Sequence, residues 1–455
     1  MIVNTFFRRH ERAIRWGLFL LFFLVHAAAA LYVARNRTGF YLANDGNEYI
    51  SLSQSLLDKG AFVSESARYY ETPRTGPAPE LFRSLFLSLL GGGFGAVFGD
   101  IYIGTAIMQA LFCTLLAAAL FLIGEHLAGR AAAFFTLALF AVHPLFVVFS
   151  LRYSSEILFS MLLAFYILAF LKKKGMSQAV LMGLAGGLAA VTRPTASLLL
   201  PAFAVFLVCE RIIPIFRPID DSRESFRRAA ARYGVYAAVF LVCLIPDSIR
   251  TIVYCGEVRP TYYLGGFNTF LGNCRENMEA YKARDGREFL QWQDRAWDRT
   301  QAIVRSFPEN LPPPEQQKRL ITLAQQEIRK AGAAEYLRLL AAKAWHFIRP
   351  WPLHGAHPET VFFLVSVYEV LLFLLGFSGV FLLRRQKNFL LLTLMVLCVG
   401  WFAHSLVHLQ MRHRVPFLDL SLIFFAGTAL AAGCQSIFNR KENKKKETAQ
   451  RNPQP

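Results

Sequence analysis

Residues 16 to 34 contain no Asp, Glu, Lys or Arg, and comparably apolar runs recur along the chain as far as residue 435. Hydrocarbon offers no partner for a backbone N–H or C=O, so a run of roughly 20 apolar residues crosses a membrane only as a helix. Further runs lie near 101–124, 131–150, 154–171, 177–195, 197–212, 233–249, 360–383, 388–406 and 415–435. With the first, they predict an all-α polytopic membrane protein, a bundle of about ten transmembrane helices. Composition agrees: 55% of residues are hydrophobic and 18% charged, against about 25% charged in soluble domains. The segment 81–98 is apolar too, but it holds Arg83 and a glycine triplet at 91–93. It is predicted to be an interfacial or re-entrant helix on the outer face.

The formal charge of +18 does not point to nucleic acid, because Lys and Arg of multi-span proteins gather in cytoplasmic loops. Arg8, Arg9, Arg12 and Arg15 precede the first run, which reads as a retained anchor, so both termini are predicted to be cytoplasmic. With ten spans, Arg130, Lys172, Lys173, Lys174, the arginines from 211 to 232, Arg384, Arg385, Lys387 and Lys444, Lys445, Lys446 all fall on that side. The predicted organisation is an N-terminal bundle, 1–249, that includes a first outer loop, 35–99. An outer helical domain, 250–357, follows, with helical Leu/Ile/Ala spacing over 315–347. The C-terminal helices span 358–437, and a basic cytoplasmic tail occupies 438–455. Five of the seven cysteines lie in apolar runs. Cys255 and Cys274 share the outer segment, where a disulfide is an open alternative. No CxxC or HExxH pattern signals a zinc site.

Once sides are assigned, ionisable residues collect at the outer ends of the spans. They are Asp45 and Glu48 after span one, Arg152 and Glu156 at the start of span four, Arg193 at the end of span five, Arg250 at the end of span seven, and His404, His408, Arg412, His413 and Arg414 joining spans nine and ten. Each has a plain structural explanation. Asp45 fits a helix cap, Arg152 and Glu156 a helix ion pair, and Arg193 before Pro194 a snorkelling side chain. His143, before Pro144, fits a helix break. Convergence is the stronger signal: a carboxylate can take a proton from an attacking hydroxyl, and arginine forks suit phosphate oxygens. A leaving group made of phosphate on a lipid would sit at this depth.

Local sequence carries a resemblance in the same order. NDGNEYISLSQSLLDKGAFV (44–63), VFSLRYSSEILFSMLLAF (148–165), GLAGGLAAVTRPTASLLLP (183–201), IPDSIRTIVYCGEVRPTYYLGGFNTFLGN (245–273) and MRHRVPFLDLSLIFFAG (411–427) resemble motifs of the C-type (GT-C) membrane glycosyltransferases. The similarity is to the branch of protein O-mannosyltransferases and lipid A aminoarabinose transferases. The resemblance implies inverting transfer of a sugar from a polyprenyl-phosphate donor to a hydroxyl of a lipid, glycan or protein acceptor, at the outer face of a membrane such as the bacterial inner membrane. It implies Asp45 as general base, Glu156 as an orienting acid, and Arg193, Arg250, Arg412 and Arg414 on the donor phosphate. Glu48, Tyr49, Arg152, Asn268, His404 and His408 are further substrate-binding candidates. Where that family usually has a second acid after the first, this chain has Gly46, which leaves use of a divalent cation open. A polysaccharide polymerase or ligase shares the lipid carrier and outer arginines but not the Asp45 motif. A transporter wants polar residues at mid-bilayer, where this chain has Leu, Phe and Ala.

Overall fold

A computed structural model of the chain describes residues 2–451, apart from 44, 214–225, 356 and 357. Asn44, and Arg217 and Arg223 of the 211–232 cluster, lie outside the described residues, as do the side chains of Arg8, Arg9, Arg12 and Lys444, Lys445, Lys446. Among the described residues the chain is helical, apart from one two-stranded ribbon pairing Val63–Ser64 with Ala78–Pro79 antiparallel.

Among the described residues, nine helices are long and apolar enough to cross a membrane. The longest, Ile101–Ala141, has 41 residues, about twice the length a bilayer needs. It leaves helical geometry at Ala128 and at Gly129, whose φ is 79°, and so makes two crossings. Nine plus this extra one gives the predicted ten. The second crossing breaks again at His143, whose ring accepts the Phe146 N–H and starts Pro144–Ser150. Leu85–Phe98 has 14 residues, about 21 Å of helix, too short to span. It packs instead along Gly46–Lys59 and the start of Ile101–Ala141. A Cβ on Gly91 would lie 2.7 Å from Ser53 Oγ, and one on Gly95 2.7 Å from Ile101 Cδ1. Two glycines of the triplet that argues against a span, Gly91 and Gly92, thus form the contact with Gly46–Lys59, while Gly93 faces open space.

Small residues also set the closest approach within the bundle. Gly183 and Gly187 of Gly175–Thr192 form a GxxxG face against Phe226–Cys255, where added Cβ atoms would lie 2.7 Å from the carbonyl oxygens of Tyr236 and Phe240. Such faces let transmembrane helices pack backbone to backbone.

Outside the spans, a second hydrophobic core joins Tyr70, Leu81 and Phe82 of the 35–99 segment to Phe267, Phe270, Ala296, Val304, Leu320 and Ala324 of the 250–357 segment. The two segments are stitched by polar contacts as well. Gln316 Oε1 accepts the Thr72 N–H at 3.2 Å, and the Leu81 carbonyl accepts the Tyr263 N–H at 2.8 Å. The helices Gly286–Arg305, Pro313–Ala331 and Ala333–Ile348 complete this cap. Cys255 and Cys274 are free thiols.

Sidedness is directly testable. In a chain freed of native cysteines, Cys introduced at Lys173 should react with an impermeant maleimide only from the cytoplasmic side. Labelling from outside intact cells would invert the topology.

Candidate active site at one end of the bundle

Asp45 occupies the N-cap position of Gly46–Lys59, yet its side chain makes no capping bond. The carboxylate turns instead to two arginines: Oδ1 lies 3.1 Å from Arg83 Nη2 and Oδ2 3.2 Å from Arg412 Nη1. Gly46 supports this turn, because a Cβ there would meet the Tyr153 carbonyl oxygen at 3.0 Å. The backbone therefore leaves little room for a second acid at 46.

The same arginine reaches a second acid. Arg412 Nη1 is 3.5 Å from Glu156 Oε1, and Arg193 Nη2 is 2.6 Å from that oxygen. Arg193 also donates Nε–H to Ser155 Oγ at 3.1 Å. Pro194 disfavours helical geometry at the residue before it; Arg193 is extended and caps Gly175–Thr192. Arg412 lies in a 3₁₀ turn, Met411–His413, just before a π-helical turn, Val415–Asp419; single π turns inside helices frequently mark functional sites. The result is an alternating chain, Arg83–Asp45–Arg412–Glu156–Arg193, with three guanidinium groups against two carboxylates. Burial alone would raise Asp45, but Arg83, Arg412 and Arg193 outweigh it and hold the carboxyl below its ordinary range. Its side chain keeps about a fifth of its surface exposed, so it is screened from bulk water yet reachable.

Asp45 and Arg193 open into a cavity of about 540 Å³. Arg412, Arg259, His404, His408 and His413 line its basic side, and Tyr49, Tyr69, Tyr262, Phe267 and Trp297 give it an aromatic wall. Tyr69 and Trp297 lie 4.7 Å apart at their ring centroids. Asn268 also lines the cavity, and its carbonyl accepts the His408 N–H at 3.0 Å. His404 stacks on His413 at 4.1 Å.

Other predicted members lie elsewhere. Glu48 is bound by Arg83, by Arg68 at 2.8 Å and by the Tyr70 hydroxyl at 2.6 Å, so it braces Arg83 from behind. Arg250 pairs with Asp247 at 2.8 Å and donates to the Glu80 and Arg83 carbonyls at 3.0 and 3.2 Å; it ties down the Arg83 backbone. Arg152 covers the Phe40 ring at 4.2 Å. None of these three lines the cavity.

Arg414 is fully buried and reaches Asp419 at 2.8 Å, with Glu369 and the Arg349 carbonyl as its other partners. The remaining carboxylate oxygens of that pair face His143 Nε2, at 3.6 Å for Glu369 and 3.8 Å for Asp419. Among the described residues this is the one group whose ligand atoms lie close enough together to hold a metal ion.

The sequence reading missed Arg83, which it counted only as a flaw in an apolar run. That flaw was the available signal: an arginine kept at the mouth of an apolar helix needs a partner, and here the partners are Asp45 and Glu48. The aromatic wall had no distinguishing pattern in the sequence.

The cap holds the loop that carries the histidines. Lys343 donates to the Val407 carbonyl at 2.9 Å and to Asn273 Oδ1 at 3.3 Å, while Asn273 Nδ2 donates to the Leu406 carbonyl at 2.9 Å. A Cβ on Gly272 would meet the Val407 carbonyl carbon at 2.4 Å, so the two backbones touch. Burial pushes the Lys343 ammonium down to about 7 from 10.5, with Cys274 opposing. Between those values the unfolded chain binds the extra proton, so stability should rise with pH across that window and the full penalty applies below it. Thermal unfolding followed from pH 7 to 9 should show this slope, and Lys343→Met should flatten it. An unchanged slope in that variant would exclude Lys343 as its source.

Residues 83–218 match the dolichyl-phosphate-mannose-protein mannosyltransferase family. No protein of curated function matches the chain in sequence. Among solved structures, the apo oligosaccharyltransferase of Archaeoglobus fulgidus superposes with a TM-score of 0.55 at 15% identity, over 94% of this chain and 52% of that one. The archaeal oligosaccharyltransferase AglB from the same organism, in complex with an inhibitory peptide and a dolichol-phosphate, gives 0.54 at 12% identity over 97% and 52%. ArnT from Cupriavidus metallidurans bound to undecaprenyl phosphate gives 0.39 at 15% identity over 91% and 78%. The chain spans about half the length of the oligosaccharyltransferases it matches. It has the fold of the C-type membrane glycosyltransferases, and its 83–218 segment carries the sequence pattern of their protein mannosyltransferase branch.

Proposed function

We propose that the chain transfers a sugar from a polyprenyl-phosphate-linked donor to an acceptor hydroxyl, with inversion, on the periplasmic or outer face of a bacterial inner membrane. The observation that carries this reading is the Asp45 carboxylate, shared by Arg83 and Arg412 and opening into a cavity that Arg193 also lines. One accessible carboxylate beside several cations suits a single displacement. Asp45 takes the proton of the attacking hydroxyl while positive charge builds on that oxygen. The bond from the anomeric carbon to the departing phosphate breaks as the new glycosidic bond forms. Arg193 and Arg412 stabilise the charge left on the phosphate, and Glu156 holds both in place. The aromatic wall gives sugar rings a flat apolar face. The matched family uses dolichyl-phosphate-mannose by its description, and AglB was solved with a dolichol-phosphate; both support a donor of this class.

His143, Glu369 and Asp419 offer a divalent cation one imidazole nitrogen and two carboxylate oxygens,. Arg414 already bridges both carboxylates, and none of the three lines the cavity. An ion there would brace helices rather than touch substrate.

The test is release of polyprenyl phosphate from polyprenyl-phosphate hexoses and pentoses by purified protein in lipid, with envelope extract as acceptor source. Arg193→Ala should raise the apparent KM for the donor at least as much as it lowers kcat, and Arg193→Lys should rescue it only in part. Full activity in Arg193→Ala would remove the phosphate role.

A further inference from the structure

One cation of the Asp45 cavity has no carboxylate to hold it. Arg259 lines the cavity from the connector between Phe226–Cys255 and Gly265–Asn273, on the side that the cap supplies. Its backbone is fixed: the hydroxyl of the fully buried Thr251 accepts the Arg259 N–H and donates to the Arg259 carbonyl, both at 3.0 Å. Its guanidinium lies over the buried Tyr263 ring at 4.6 Å. Among the described residues that ring is its one partner: no Asp or Glu is within ion-pair reach of the guanidinium, and no hydrogen bond uses it. Arg193 and Arg412 differ, since Glu156 holds both and Asp45 holds Arg412 as well. A guanidinium fixed at a cavity wall with its donors unused is arranged to meet a ligand.

Building on the transfer reading above, we propose that Arg259 binds the carboxylate of an acidic sugar ring, a hexuronate whose face lies on the neighbouring wall of Tyr262, Phe267 and Trp297. Charge selects the acid. The chain from Arg83 to Arg193 sets three guanidinium groups against two carboxylates, and Glu48, which also holds Arg83, has Arg68 as a cation of its own. The surplus is a single positive charge, matched by the single negative charge of a sugar phosphodiester. Arg259 is positive beyond that, and its fork fits a carboxylate. A sugar bearing an ammonium group finds no free acid. Asp45 is the only carboxylate among the described lining residues, and two arginines already share it. An unpaired charge against the wrong substrate is itself a source of specificity. The acidic ring is either the sugar transferred or the ring of the acceptor that receives it, and the ligands of the test separate the two.

The experiment is isothermal titration of the full-length protein in lipid nanodiscs, which needs no turnover. The ligands are glucuronate 1-phosphate and glucose 1-phosphate, which differ only at C6, and the methyl glycosides of both sugars in the presence of glucose 1-phosphate. The parent should bind a glucuronate about tenfold or more tightly than its glucose counterpart, the usual worth of a charge-assisted hydrogen bond. A preference between the 1-phosphates assigns the acid to the transferred sugar, and one confined to the methyl glycosides assigns it to the acceptor. Arg259→Gln should abolish the preference and leave glucose 1-phosphate binding unchanged, while Arg259→Lys should keep part of it. Arg295→Gln is the control: that cap arginine is stacked on Trp292 at 4.6 Å, outside the cavity, and should bind as the parent does. Arg193→Ala should weaken both 1-phosphates alike; if it does not, the phosphate reading fails while the Arg259 site stands. Equal affinity within both ligand pairs would overturn the proposal, as would an Arg259→Gln protein that keeps the preference or loses both 1-phosphates together. Should Arg259→Gln melt well below the parent, Arg259→Lys decides: an undiminished preference there overturns the role of the fork.

Discussion

Asp45→Asn should lower sugar transfer by about 10²- to 10⁴-fold, the usual contribution of a positioned general base, while the protein stays folded and inserted. The fold should survive because the carboxylate's partners have other counterions. Arg83 keeps Glu48, and Arg412 keeps Glu156 at 3.5 Å. Asparagine is nearly isosteric and still accepts a hydrogen bond, so what disappears is the capacity to take a proton. The pH profile separates this role from a structural one. Arginines hold Asp45 below the ordinary carboxylate range, so the acid limb of kcat/KM should not be an ordinary aspartate titration near pH 4 but should lie lower. Those same arginines weaken it as a base, which fits a proton transfer that follows bond formation rather than leading it. Full activity in the asparagine variant, or an acid limb at the ordinary aspartate value, would defeat the assignment.

Much of the fold is legible in the chain because membrane spans announce themselves by length and composition, and because the short basic clusters fall on one side only when ten spans are counted. The 41-residue helix shows the limit. Hydropathy reads its two halves correctly, but the turn between them depends on Gly129 adopting a positive φ, which no apolar count reveals. The cap was only half visible. Its helices show in their spacing, yet the union of residues 70–82 with 263–324 in one core depends on contacts almost two hundred residues apart. Candidate site residues could be picked by chemistry and by place at a helix end, not by orientation. Asp45, Arg193 and Arg412 share the cavity, as do Tyr49, Asn268, His404 and His408, whereas Arg250, Arg152 and Glu48 point elsewhere. Knowing that an arginine sits at an outer helix end does not say whether it faces a substrate or a neighbouring carbonyl.

Arg412 and Arg414 make that difference measurable, because two residues of one motif should fail in opposite ways. Arg414 is wholly buried with Glu369 and Asp419. Removing it leaves two carboxylates without their cation in the bundle interior, and breaking a buried pair from one side costs about 3–5 kcal/mol. Arg414→Ala should therefore accumulate poorly and melt well below the parent. Arg414→Lys keeps the charge, but a point ammonium cannot reproduce the fork that reaches both acids and the Arg349 carbonyl; partial recovery of stability is expected. Arg412 is a fifth exposed and lines the cavity, and its two acids retain Arg83 and Arg193. Arg412→Ala should keep a near-parental melting temperature and lose transfer. The separation follows from the 3₁₀ turn Met411–His413, which contains Arg412 and ends at Arg414; at three residues per turn, side chains two apart point in different directions. Melting curves and donor turnover on the three variants decide the matter. An Arg414→Ala protein as stable as the parent but inactive would return that arginine to the phosphate, and an Arg412→Ala protein that unfolds would make it a brace instead.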